Sequence, residues 1–162
     1  MYILIGGIGY AWQGDLAFGT TVVEALRGLA WPAGVEIADL SHNPITVFQQ
    51  IRAQRYTQLI LIGAVQRGRP PGILFTYRPT DALPHVDEIQ ARIVESGSGI
   101  ISLDNIVIIS RFYDALPPDT QIIEVEPVED SWGADLSPTV HVAVSRAIGL
   151  VQAAVRGFPV VT

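Results

Sequence analysis

Short apolar runs alternating with helical patterns constrain the fold of this chain more than any other feature. Four short apolar runs, Tyr2–Ile8, Val35–Leu40, Leu59–Val65 and Gln121–Val125, suit strands buried in a parallel sheet. A weaker fifth candidate lies at Ile73–Tyr77. Phe18, Val22, Leu26 and Leu29 give Phe18–Ala30 one apolar face, and Trp31-Pro32 ends that helix. Asn43 and Pro44 form a cap and a first helical turn, from which Val47 and Ile51 point inward. A third helix is predicted from about Pro84 to Glu95. A fourth runs from Leu103 to about Tyr113, capped by Ser102 and closed by Pro117-Pro118. Ser137-Pro138 opens a long last helix with a stripe of Val140, Val144, Ile148, Val151 and Val155.

The resulting order predicts an α/β fold: three layers, α/β/α, around a mostly parallel sheet of about five strands, in one domain spanning residues 1–162. Such sheets bind ligands beyond the C-terminal ends of their strands. That rule selects the loops Gly9–Ala17, Gly63–Gly72 and Pro127–Leu136.

Composition then removes whole chemistries. All 10 basic residues are Arg, so there is no Schiff-base or phosphate-loop lysine, and with no Cys there is no thiolate nucleophile, zinc ribbon or iron–sulfur cluster. A net charge of −6 argues against a nucleic-acid partner. The opening MYILIGGIGYAWQGD has no positive segment and reaches Gly-Gly early, so it reads as strand and turn rather than as a signal peptide. His141, Arg146, Gln152 and Arg156 interrupt the apolar stretch Val140–Val161 and spoil it as a membrane span. A cytoplasmic protein with no membrane partner is expected.

Several constellations could carry chemistry. Gly7-Ile8-Gly9 with Asp39 at the end of the second strand suggests a Rossmann-like nucleotide-binding turn, although Trp12 stands where its third small residue belongs. His42, His85 and His141 lie in separate segments without metal-ligand spacing, and Ser98, Ser102, Ser110 and Ser137 lack a nucleophile elbow. Asp15 in the first loop and Asp104 in the first turn of the fourth helix could share acid–base work or a divalent cation; each also suits a helix N-terminus. Arg67, Arg69 and Arg78 surround the Pro70-Pro71-Gly72 turn and could receive a carboxylate or an acidic peptide, or form a solvated face.

The segment from Gly7 to Gly19, GIGYAWQGDLAFG, followed by Val22-Val23-Glu24-Ala25-Leu26, resembles the opening of the hydrogenase maturation proteases. The resemblance continues through Val35–Leu40, Leu59–Val65, Pro71-Gly72 and Glu124-Val125-Glu126-Pro127, and ends on Gly133-Ala134-Asp135-Leu136-Ser137-Pro138. It implies a phosphorylase/hydrolase-like fold and an endopeptidase that removes the C-terminal extension of a nickel-hydrogenase large subunit. It also implies three metal-binding side chains, which fall here on Leu16, Gly63 and Asp104. Neither Leu nor Gly offers a donor, so the expectation is a scaffold without a cofactor that binds a protein tail beside Arg67 and Arg69. The alternative is an active endopeptidase in which Asp15 swings inward to join Asp104 at a displaced nickel site.

Overall fold

The computed structural model describes residues 2–156; the ends of the domain assigned to 1–162, including the last part of Val140–Val161, lie outside the described residues. Five strands form one sheet: β1 (Ile3–Gly7), β2 (Val35–Asp39), β3 (Gln58–Ala64), β4 (Leu74–Tyr77) and β5 (Asp119–Val125). Their order is β2-β1-β3-β5-β4. The first four are mutually parallel, and β4 alone runs antiparallel, along β5. β4 runs opposite to β3 because the loop between Ala64 and Leu74 contains no helix to return the chain to the other end of the sheet, and β5 later fills the place between them.

Alternation along the strands decides which helix packs where. Ile3 and Ile5 of β1, with Ile60 and Ile62 of β3, face α1 (Phe18–Arg27) and α5 (Pro138–Arg156). Leu4, Leu59 and Leu61 face the opposite way, against α2 (Pro44–Gln54) and α4 (Leu103–Phe112). The last helix, α3 (Val86–Gly97), packs on α4. The predicted three layers are therefore present, and each buried run reads as continuous because it is covered on both sides.

Local chemistry sets the helix ends. Asn43 accepts from the Ile45 N–H at 2.9 Å with Pro44 in the first turn, and Ser102 Oγ accepts from the Asn105 N–H at 3.1 Å. The first helix stops at Gly28, short of the Ala30 predicted from periodicity. The third begins two residues later than predicted, since His85 itself is the cap and accepts from the Asp87 N–H at 3.3 Å. On α5 the fully buried line is Val140, Ala143, Ala147, Val151 and Val155, with Val144 and Ile148 at its margins. This helix is long and apolar enough to cross a membrane, but the stripe is the core of the α1/α5 layer while His141 and Arg146 point outward.

Gly7 shows what the glycine turn is for. A Cβ there would lie 2.2 Å from the carbonyl oxygen of Gly19, so α1 rests directly on the end of β1. Close helix packing therefore accounts for the glycine turn without a nucleotide, and α1 starts only at Phe18, later than a helix that opens directly on a dinucleotide turn.

Candidate functional site

The chain leaves β1 for β2 on one side and then crosses back to β3 on the other, so a crevice opens beyond the C-terminal ends of β1 and β3. The three loops selected from the sequence gather at this end. Two separate polar networks organise them.

The first is built on Asp15, which is fully buried in a single 3₁₀ turn, Gly14–Ala17. Its carboxylate accepts the N–H groups of Val128 and Glu129, both at 2.9 Å, the Ser137 N–H at 2.7 Å and the Ser137 hydroxyl at 2.9 Å. Its own N–H donates to the Glu129 carbonyl at 2.6 Å. Four donors satisfy the lone pairs of a carboxylate without a cation. Asp15 therefore clasps the first loop to the last, and Ser137 passes the order on by accepting from the Val140 N–H at 3.3 Å in the first turn of α5.

The second network lies across β5. Arg67 forks onto Asp104 through Nη1 at 2.9 Å and Nη2 at 2.7 Å, and reaches Glu124 through Nε at 3.3 Å and Nη2 at 3.1 Å. Arg69 Nη2 lies 2.7 Å from Glu124, and its guanidinium sits 4.3 Å above the Phe75 ring. Glu124 and Glu126 are buried. Burial alone would pull the Arg67 guanidinium down, but Asp104 and Glu124 outweigh it and push it well above its ordinary value. Burial would likewise raise Glu126, yet the N–H groups of Arg67, Gly68 and Arg69 hold its carboxyl below the usual range. Tyr77, whose hydroxyl is 3.4 Å from Glu124, is pushed up to about 12, first by burial and then by the Glu124 charge.

No family model matches the chain, and no curated protein does. Solved structures do. The hydrogenase maturating endopeptidase HybD from E. coli superimposes with a TM-score of 0.74 at 26% identity, over 96% of this chain and 93% of that one. The hydrogenase 2 maturation peptidase from a Thaumarchaeota archaeon gives a TM-score of 0.67 at 24% identity, over 95% and 97% of the two chains. The [NiFe] hydrogenase maturation protease HycI from Thermococcus kodakarensis gives 0.64 at 20%, over 96% and 93%. The chain has the fold of hydrogenase maturation proteases and is similar to them over nearly its whole length.

The resemblance also implies a bound metal, which can be tested against these residues. The positions to which the resemblance assigns ligands do not fit one. Leu16 ends in methyl groups, and a side chain at Gly63 would start 3.2 Å from the Ile8 carbonyl oxygen and 3.4 Å from Leu103. Asp104 is occupied by Arg67 on both oxygens. Among the described residues, no group of three or more His, Asp or Glu converges as a metal site would require.

The structure thus brings Arg67, Arg69 and Asp104 together and leaves Asp15 in a network of its own. The expected Asp15–Asp104 pair is replaced by two clasps, because each carboxylate has nearer donors: backbone N–H groups for one, a guanidinium for the other. Arg67 and Arg69 are held by the chain's own acids, with Arg69 Nη1 left buried and without a partner. Glu124 and Glu126 were missed as network members in the sequence. The available signal was acids at alternate positions in an apolar strand, since a carboxylate buried there demands a cation or several donors.

Proposed function

We propose that this chain binds the C-terminal tail of a nickel-hydrogenase large subunit, or of a related metalloenzyme precursor, and does not cut it. HybD is named a maturating endopeptidase, and the likeness to it supports a role in hydrogenase maturation. One observation carries the departure from cleavage: Arg67 occupies both oxygens of Asp104, the one acid at a position to which the resemblance assigns a ligand.

Hydrolysis needs a group that accepts a proton from water and another that polarises the scissile carbonyl. The acids of this crevice are engaged. Asp15 is saturated by four donors, and Asp104 and Glu124 are neutralised by guanidinium groups. The fold of the maturation endopeptidases is retained, which supports a role in handling the same kind of tail.

Incubation of the purified protein with a large-subunit precursor, followed by mass spectrometry and size-exclusion chromatography, tests this. The expected result is a complex containing precursor of unchanged mass. Loss of a short C-terminal peptide would overturn the proposal in favour of an active endopeptidase.

A further inference from the structure

A groove of about 780 Å³ runs along α1, away from the Arg67 network; Trp12, Glu24, Asp39, Asp135 and His141 are among its walls. Its size lies within the range of ligand clefts, roughly 300–1,000 Å³. Three features stand out in and beside this groove.

The first is Trp12. It has φ of +67°, a left-handed conformation that is unfavourable for a bulky residue, yet its side chain is 78% exposed and returns nothing by burial. The conformation is enforced by the clasp, for the Gly133 N–H donates to the Trp12 carbonyl at 2.6 Å and the Gly14 N–H to the Ala134 carbonyl at 3.1 Å. A large indole held outward on a strained backbone is the kind of outlier that marks recognition. The second is Trp132, 73% exposed, which lies outside the groove's lining but adjoins Gly133 on the other half of the same clasp. The third is charge. Glu24 is paired with Arg27 at 2.7 Å, but Asp39 and Asp135 form no salt bridge among the described residues.

We infer that this groove docks an extended peptide segment carrying Arg or Lys, with the cation set against Asp39 and Asp135 and its aliphatic stem on Trp12. Indole faces attract guanidinium and ammonium groups, and uncompensated carboxylates select them electrostatically. The same acids repel phosphate, which disfavours a nucleotide. For the partner's being a protein tail, the inference rests on the tail-binding reading. It adds where the tail lies and which side chains it must present.

The test uses two fluorescein-labelled decapeptides, one alternating Arg with Leu and one with Glu in place of each Arg, titrated by anisotropy. The Arg peptide is expected to bind the wild-type protein with an affinity that falls as salt is added, and the Glu peptide not to bind. Trp12→Gly, which suits a positive φ, should weaken Arg-peptide binding at least tenfold while leaving the melting temperature unchanged or raised. Asp39→Asn combined with Asp135→Asn should weaken it similarly. Equal binding of both peptides, no binding of the Arg peptide, or full affinity in both variants would overturn the inference. Precursor capture by the same proteins separates the two proposals. Capture undiminished in Trp12→Gly, with no Arg-peptide binding, removes the groove and keeps the tail-binding reading; Arg-peptide binding without capture does the reverse.

Discussion

Asp15 and Ser137, 122 residues apart in sequence, are joined by two hydrogen bonds, from the Ser137 N–H at 2.7 Å and the Ser137 hydroxyl at 2.9 Å. Through this pair the first loop of the chain fixes the start of its last helix. Asp15→Asn would offer one carbonyl oxygen and a donor amide to four donors, leaving buried N–H groups unsatisfied. We expect a loss of about 3 kcal/mol, read by urea denaturation with an unchanged slope. A loss below about 1 kcal/mol would mean the loops hold without the clasp.

The Arg67 network predicts strong coupling. Arg67→Met leaves Glu124 buried with only part of its positive surroundings, and removal of one partner from a buried pair typically costs about 3–5 kcal/mol. Glu124→Gln in the same chain should recover much of that loss. A double-mutant cycle measures it, and additive effects of the two changes would show that the pair is not coupled.

Calorimetric titration with Ni²⁺ and with Zn²⁺ should show only the weak background of surface histidines. Asp15→Ala and Asp104→Ala should not change it. Stoichiometric micromolar binding lost in both variants would instead establish a metal site built from these two acids.

Tyrosine ionisation should divide by environment. Tyr56 is pushed up to about 12 by burial, by its hydrogen bond to Glu36 and by the Glu36 charge, and Tyr77 also to about 12 by burial and Glu124. Both are raised, so their contribution to stability is full below the unfolded value of about 10 and is lost as pH rises through about 12. Phenolate absorbance should accordingly show a late fraction that Tyr77→Phe reduces. Glu126 acts on the other limb. Its lowered carboxyl stabilises the fold above the ordinary carboxylate range, and that contribution disappears as the pH falls below it. Glu126→Gln should flatten the acid side of a stability–pH profile.

The layers follow from patterning along the chain. Buried strands must be apolar on both faces, caps must carry an acceptor, and a helix on a sheet must repeat its apolar residues, so β1, β3, the Asn43 and Ser102 caps and the existence of α5 could be read from spacing alone, while its buried line runs through Ala143 and Ala147 rather than Val144 and Ile148. The absence of donors at Leu16 and Gly63 was likewise visible in residue type. Tertiary structure alone decided what the charged groups do. Whether Arg67 greets a ligand or Asp104, whether Asp15 turns toward a cation or toward Ser137, and that Trp12 is held outward by Gly133 all depend on loops meeting over separations of 37 to 122 residues. A hydrogen bond or an ion pair depends on distance and direction in space, and no periodicity along the chain encodes either.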